Sequence, residues 1–329
     1  MKRSIIFLVI AIMLQAGCKK GKPEYVPSRA VYILNGLAET ISIYDIQDDT
    51  MANDVISTGA TPNDILIIGD TGYIVNSGFG GTPSLQIIDL ESNKEVMEIP
   101  LPVGTNPWSV CVVNNNAYIT LWAVDSVLVI DLATCDRVTA IKVGTAPAGI
   151  IYYNGKIYVA NTGFTWGKGY EPGTISIIEN EQVIKTIGVG INPQNIGIDS
   201  SGILHVVCTG NYVDKQGVVY LIKADQVIDS IKIGGNPASI AITRQKVYLG
   251  DYSLGLLSYD ATNYTIIHGA TNPIKVGNGT MGLAIDSEAR LYVCNFSDDE
   301  VVIVDTETDS LIKKLSLGAD HGPQDVAIR

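Results

Sequence analysis

From about residue 30 onward, the chain consists of short segments in which apolar and polar residues alternate, such as Ile41 to Asp45 and Val301 to Asp305. A period of two is expected of a β-strand that buries one face. β-branched residues and Tyr are frequent, whereas amphipathic helical patterning is scarce. The pattern therefore predicts an all-β fold.

A Gly followed three residues later by a Pro recurs along the chain. Two further copies are weaker, because Gly277 is followed by Thr280 and Gly318 has an insertion before Pro323. The glycines recur at intervals of about 40–46 residues, the length of one four-stranded propeller blade. The five regular pairs are Gly59/Pro62, Gly104/Pro107, Gly144/Pro147, Gly190/Pro193 and Gly234/Pro237.

Each repeat has the same order: an inner strand, a second strand with Tyr-x-x-Asn, a third strand ending in an acid, and a returning fourth strand. The chain begins this order at a second strand (Ala30 to Asn35) and ends on an inner strand (Gln324 to Ile328), so its two ends complete one blade. The sequence thus predicts a seven-bladed β-propeller of four-stranded blades over residues 30–329, closed by its C-terminal strand. The second-strand motif begins at Tyr32, Tyr73, Tyr158 and Tyr292, with degenerate copies at Tyr118, His205 and Tyr248.

These motifs resemble those of YVTN-type propellers over essentially the whole predicted domain. The segments "AVYILNG" and "GILHVVCTGN" are more specifically similar to YncE-like propeller lipoproteins of the bacterial envelope. The resemblance implies a fold and an envelope location, but a shared fold does not identify a ligand.

The first residues have the composition of an export signal. Lys2 and Arg3 precede an apolar run, Ile5 to Leu14, that is short for a membrane-spanning helix. Ala16-Gly17-Cys18 resembles a bacterial lipobox, although Gln15 stands where Leu is usual. We predict a signal peptide over residues 1–17, lipidation at Cys18, and an anchored linker over 18–29. The alternative is ordinary cleavage nearby, which would leave Cys18 as a free thiol.

The net charge and the spacing of the cysteines argue against several classes of function. The formal net charge is −12, and it becomes −14 if cleavage removes Lys2 and Arg3. An acidic surface repels phosphate backbones, so nucleic-acid binding is not expected. The other cysteines show no zinc-knuckle or CxxC spacing, which favours buried thiols over disulfides; they are Cys111, Cys135, Cys208 and Cys294.

The loops that follow the second strands vary in length and share one face of the predicted disc, where binding sites are usual. The chain has only four Phe and three Trp, and all except Phe7 fall on this face. Together with loop tyrosines they form a candidate binding surface; the alternative is that individual rings fill gaps between blades. The candidates are Phe79, Trp108, Trp122, Phe164, Trp166, Tyr170, Tyr212, Tyr252 and Phe296, with Gln194 and Asn195 at the channel mouth.

Catalytic motifs are scarce. Of the three histidines, His205 replaces a motif Tyr and is interpreted as structural. His321 and Asp320 lie in an inserted loop near Asp298, which makes them weak candidates for a cation site; a solvated acidic rim is the simpler interpretation. No Ser/His/Asp set, P-loop or HExxH occurs, and no cofactor is predicted.

Three functions follow as hypotheses. The first is a non-enzymatic, monomeric lipoprotein that binds a small molecule, glycan or protein partner. It would be anchored in the outer membrane or elsewhere in the cell envelope, on a side of the membrane that the sequence does not specify. The resemblance adds that some such lipoproteins pass corrinoids to a TonB-dependent transporter. The second is a metal-assisted lyase or lactonase, and the third is a scaffold that docks envelope proteins.

Overall fold

The alternating segments form seven antiparallel sheets of four strands each, arranged as the blades of a β-propeller. The computed structural model describes residues 29–329. The predicted signal peptide, Cys18 and all but the last residue of the predicted linker lie outside the described residues. The predicted fold class is therefore confirmed.

The strands follow the predicted order in every blade. Blade 1 contains β1 (Ala30–Asn35), β2 (Thr40–Asp45) and β3 (Thr50–Ser57), and blade 2 contains β4 (Pro62–Ile68), β5 (Thr71–Asn76), β6 (Ser84–Asp89) and β7 (Lys94–Pro100). Blade 3 contains β8 (Pro107–Val113), β9 (Asn116–Leu121), β10 (Ser126–Asp131) and β11 (Arg137–Lys142). Blade 4 contains β12 (Pro147–Tyr153), β13 (Lys156–Asn161), β16 (Pro172–Glu179) and β17 (Gln182–Ile191), with an added hairpin of β14 (Phe164–Thr165) and β15 (Gly169–Tyr170).

The second half of the chain continues the pattern. Blade 5 contains β18 (Pro193–Ile198), β19 (Leu204–Cys208), β20 (Val218–Lys223) and β21 (Gln226–Ile231), and blade 6 contains β22 (Pro237–Ile242), β23 (Lys246–Asp251), β24 (Gly255–Asp260) and β25 (Ile266–His268). Blade 7 contains β26 (Thr280–Ile285), β27 (Arg290–Asn295), β28 (Glu300–Asp305) and β29 (Ser310–Ser316); β30 (Pro323–Ile328) returns to blade 1. Two short 3-10 turns follow second strands, at Trp122–Val124 and Phe296–Asp298. Among residues 29–329, no helix has the length and apolar character needed to cross a membrane.

The ring closes where β30 pairs with β1. Their antiparallel register places Val31 opposite Ile328. Ion pairs tie this blade to both neighbours: Arg329 Nη2 lies 2.7 Å from Asp70 Oδ1 of blade 2, and Lys313 of blade 7 pairs with Asp49. Pairing the inner edge of β1 removes an edge that would otherwise present unpaired backbone groups.

The repeated polar residues hold the blades together. Asn161, at the end of its motif, is buried, and its Nδ2 donates to Thr174 Oγ1 and Ser176 Oγ, both at 3.0 Å. The acid at the end of the third strand stabilises its own turn, since Asp45 Oδ1 accepts the backbone N–H of Gln47 at 2.8 Å. These side chains therefore stabilise the blades themselves.

The motif Tyr joins neighbouring blades. Tyr158 of blade 4 is buried, and its hydroxyl donates to Asp225 Oδ1 of blade 5 at 2.8 Å. His205 takes the same position in blade 5 and is fully buried, with Nδ1 2.6 Å from Tyr259 Oη. Burial lowers the pKa of His205 despite the nearby Asp199. The structural interpretation of His205 is confirmed.

The hydrophobic core lies between adjacent sheets. One cluster, for example, joins Val75 and Leu85 of blade 2 to Ile119 of blade 3. The thiols belong to this interior: Cys111, Cys208 and Cys294 are buried, Cys135 is half-buried, and all four are free. Burial raises the pKa of Cys208 to about 12, so the thiol is unreactive at neutral pH.

Candidate functional site

Seven loops connect second to third strands at one end of the blades, and we call this end the loop face. Each meets the segment that leads into an inner strand: the backbone N–H of Trp122 donates to the Asn106 carbonyl at 3.0 Å, and that of Thr162 to the Ala146 carbonyl at 3.0 Å. Blades 4 and 5 have the longest of these loops. The seven span residues 36–39, 77–83, 122–125, 162–171, 209–217, 252–254 and 296–299.

The loop of blade 4 folds back as a hairpin because its glycines permit it. Gly163, Gly167 and Gly169 have φ of 74°, 83° and 82°, in the left-handed region that favours Gly. The Lys168 N–H donates to the Thr165 carbonyl at 3.0 Å, which closes the turn. The hairpin thereby places Phe164 opposite Tyr170 and carries the residues between them above blade 4.

Five aromatic rings of blades 3, 4 and 5 form one continuous surface, which we call the aromatic cluster: Trp122, Phe164, Trp166, Tyr170 and Tyr212. Neighbouring centroids lie 5.0 to 6.2 Å apart, within the range of favourable ring contacts. Trp166 nevertheless remains 81% exposed and Tyr212 56% exposed. The structure therefore brings five of the nine predicted aromatic residues together.

An open cleft of about 360 Å³ lies at one end of this cluster, between the loops of blades 3 and 4. Trp122, Phe164 and Trp166 form its aromatic walls, and Asp125 contributes the carboxylate; we call it the blade 3–4 cleft. Its remaining lining residues are Ala123, Thr145, Ala146 and Thr165.

The other four predicted aromatic residues are separate from the cluster. Phe79 is 87% exposed and makes no ring–ring contact with another described residue. Trp108 is half-buried and lines the central channel. On blades 6 and 7, Tyr252 Oη lies 2.8 Å from Ser297 Oγ, and half-buried Phe296 begins the second 3-10 turn.

The channel residues lie where the convergence of the inner strands predicts. Gln194 and Asn195 are half-buried on its wall, and Gln194 Nε2 donates to Asn192 Oδ1 at 2.8 Å. The channel cavity is only about 130 Å³, below the usual range of ligand pockets. Most of its other lining side chains are small or polar: Asn63, Asp64, Ser109, Gly149, Ala238, Ser239, Met281, Gly282, Gln324 and Asp325.

Two channel carboxyls form a pair. Asp64 Oδ2 accepts hydrogen bonds from Ser109 Oγ (2.7 Å) and the Val110 N–H (2.9 Å), and the carboxyls of Asp64 and Asp325 are hydrogen-bonded to each other. Burial raises the pKa of Asp325 well above its usual value, and the negative charge on Asp64 raises it further. The pKa of Asp64 is also raised by burial, although these hydrogen bonds oppose the shift. The buried pair therefore retains a proton more readily than two separate surface carboxyls would.

The residues predicted as a weak cation site have other partners. His321 Nε2 lies 3.2 Å from Asp54 Oδ2 of blade 1. Partial burial lowers the pKa of His321, but Asp54, the Ala319 carbonyl and the charge of Asp299 together raise it above its usual value. Asp298 accepts from Asn278, while Asp320 donates its backbone N–H to Asp299. Within residues 29–329, no group of three His, Cys, Asp or Glu side chains is arranged to hold a metal ion.

Sequence reasoning missed Asp125, although a signal was present. Trp122-Ala-Val-Asp125 and Phe296-Ser-Asp-Asp299 are equivalent turns in which an Asp with φ of 52° ends a 3-10 turn that an aromatic residue begins. In both turns the Asp accepts backbone N–H groups of the segment that leads to the next inner strand. The aromatic residue and the acid recur together.

Several solved propellers share this architecture. A candidate 6-phosphogluconolactonase from Bacteroides uniformis has a TM-score of 0.71 at 11% identity, covering 92% of this chain and 99% of that chain. Kuenenia stuttgartiensis hydrazine synthase has a TM-score of 0.69 at 14% identity, covering 85% and 93%. Citrobacter koseri AztD has a TM-score of 0.61 at 8% identity, covering 92% and 98%. Such identities show a common fold alone, and neither a protein-family model nor a curated protein matches the sequence.

Proposed function

We propose that this protein is a non-enzymatic binding protein of the bacterial cell envelope, similar to YncE-like propeller lipoproteins. It captures a small molecule, glycan or protein partner on the loop face, and the aromatic cluster is its principal contact surface. A lipid on Cys18 would keep the monomeric propeller at the outer membrane or elsewhere in the envelope. A TonB-dependent transporter that receives the captured ligand fits this role.

The observation that carries the proposal is the continuous aromatic cluster on loops whose length differs between blades. A protein gains stability by burying large rings, yet Trp166 stays 81% exposed at the tip of a hairpin added to blade 4. Exposed rings already held in place by their neighbours supply contact area at low entropic cost when a partner binds.

The enzyme alternative has less support. It rested on His321 and the acids near it, but His321 is paired with Asp54, and Asp298 is engaged by Asn278. The paired carboxyls Asp64 and Asp325 lie in a channel cavity of about 130 Å³, which is small for a metabolite. The aromatic cluster is the larger and more accessible surface.

Binding assays with a ring-deletion variant test the proposal. Purified protein would be titrated calorimetrically with cyanocobalamin, maltohexaose and xylohexaose, and an immobilised copy would be incubated with solubilised envelope proteins. The wild type is compared with Trp166→Ala and with Tyr152→Ala, which removes an exposed ring at the opposite end of blade 4.

We expect at least one ligand or envelope protein to bind the wild type and Tyr152→Ala, and to bind Trp166→Ala at least tenfold more weakly. The proposal fails if nothing binds the folded wild type, or if whatever binds is indifferent to Trp166.

A further inference from the structure

The aromatic walls of the blade 3–4 cleft have an arrangement suited to a positive charge. The rings of Trp122 and Phe164 are inclined by 32° with centroids 5.2 Å apart. Trp166 stands nearly perpendicular to both, at 81° and 86°. The face of an aromatic ring carries negative electrostatic potential, and indole attracts cations most strongly. Two of the three rings here are indoles.

Asp125 adds a formal negative charge to the same cleft. Its Oδ1 accepts the Ala146 N–H at 2.9 Å, which fixes the carboxylate, while its Oδ2 makes no hydrogen bond to another described residue. The ammonium of Lys142 donates instead to the Val124 carbonyl at 2.8 Å, and no ion pair within 4.0 Å joins it to Asp125 in the described part of the chain. Among residues 29–329, the Asp125 carboxylate therefore has no ion-pair partner within 4.0 Å.

The volume of the cleft and the net charge of the chain narrow the class of ligand further. A volume of about 360 Å³ is at the lower end of the range for small-molecule sites, so it suits a compact group and not a macrocycle. The chain carries a formal net charge of −12, which repels anions and attracts cations.

We propose that the blade 3–4 cleft binds a small organic cation, namely an alkylated ammonium group held by the rings of Trp122, Phe164 and Trp166 and by the Asp125 carboxylate. This inference rests on the proposed function and names the ligand class for one part of the loop face. Methyl groups of such a cation contact the rings, while its charge interacts with the ring faces and the carboxylate.

Intrinsic fluorescence provides the assay, because two of the three tryptophans line the cleft. Choline is titrated into the full folded protein and compared with 3,3-dimethylbutan-1-ol, which has the same shape without the charge. The key variant is Asp125→Asn, since its amide oxygen can keep the Ala146 hydrogen bond and Asn tolerates the left-handed backbone. Asp136→Asn, an exposed acid at the opposite end of blade 3, controls for net charge.

We expect saturable quenching by choline, with binding at least tenfold tighter than that of the neutral alcohol. Asp125→Asn should weaken choline binding about three- to tenfold and leave the alcohol unaffected, while Asp136→Asn binds like the wild type. Phosphatidylcholine vesicles distinguish a lipid headgroup from a free ligand: co-sedimentation that depends on Asp125 indicates the headgroup, and its absence alongside choline binding indicates the free cation.

Equal affinities for choline and the alcohol, or an unchanged choline affinity in Asp125→Asn, would overturn the cation site. A lack of any quenching would do the same. None of these results decides whether a ligand or envelope protein binds in a Trp166-dependent way, because the binding assays with Trp166→Ala test that separately.

Discussion

The carboxyls of Asp325 and Asp64 are hydrogen-bonded to each other, which joins the closing strand β30 to the inner strand of blade 2. Asp325 Oδ2 also accepts the backbone N–H of Ile65 at 3.2 Å. The contact between the last strand and its neighbour therefore depends on one proton held inside the channel.

Asp325→Asn should make stability less dependent on pH. A carboxyl whose pKa is raised by folding binds a proton more readily in the folded than in the unfolded state, so its contribution to stability falls as pH rises above about 4. Asn can retain the Ile65 contact and donate to Asp64 without titrating. We expect the Tm difference between the variant and the wild type to become more positive from pH 4 to pH 9, in thermal melts followed by circular dichroism.

Asp89→Asn is a control for which the change in stability with pH should have the opposite sign. Hydrogen bonds from Ser92 and Glu91 lower the pKa of Asp89, so this carboxylate stabilises the fold above its unfolded pKa. Its loss should therefore cost more at neutral than at acid pH. Parallel pH profiles of stability for the two variants would contradict a pKa of Asp325 that folding raises.

Tyr158→Phe should weaken the junction between blades 4 and 5. The substitution removes the hydroxyl that donates to Asp225, and such a hydrogen bond is worth about 1 kcal/mol of unfolding free energy. Tyr73 is the matched control, because it holds the same motif position in blade 2 but its hydroxyl has no hydrogen-bond partner among the described residues. In urea titrations, Tyr73→Phe should stay within about 0.5 kcal/mol of the wild type; equal effects would refute a hydroxyl-specific role.

Gly163→Ala should disrupt the aromatic cluster while leaving the blades folded. A Cβ at this position would lie 2.6 Å from the Glu171 carbonyl oxygen, at a φ of 74°. The base of the hairpin must then open, which separates Trp122 from Trp166, and the near-ultraviolet circular dichroism of the coupled indoles should fall. Gly155→Ala imposes a similar left-handed strain in open space at the opposite end of blade 4, so it should preserve that signal. Retention of the full signal in Gly163→Ala would show that the hairpin tolerates the change.

Cys18→Ala should release the protein from the membrane fraction. The wild type is expected to incorporate radiolabelled palmitate and to sediment with membranes, because two acyl chains give stable anchoring. Cys135→Ala, which changes a half-buried thiol of the propeller, should behave as the wild type does. A soluble, unlabelled wild type would contradict the lipobox interpretation.

The blade count could be predicted because the signals for it are local and repeated. A Gly before an inner strand, a Tyr and an Asn on the second strand, and an acid at the turn recur at a regular spacing. Several of them make hydrogen bonds within or between blades, as Asn161, Tyr158 and Asp45 do. The channel wall could be predicted too, since seven inner strands must converge there, and Gln194 and Asn195 do lie on it.

The detail of the loop face could not be predicted in the same way. Phe79 and Trp166 both lie in loops after second strands, yet only Trp166 joins other rings, because a hairpin with three left-handed glycines turns back toward blade 3. His321 was grouped with acids near it in blade 7, whereas its imidazole reaches Asp54 of blade 1. These outcomes depend on loop conformation and on contacts between blades.

The direction of β1 has a consequence for how the molecule would sit on a lipid surface. β1 runs toward the loop face, since Asn35 leads directly into residues 36–39, so Ala30 lies at the far side of the disc. Arg29 is held there by Glu288, which lies 2.5 Å away in the turn between β26 and β27. A lipid tether, if Cys18 carries one as proposed, would join the propeller at this underside, so Trp166 and its neighbours would lie on the face opposite to the point of attachment.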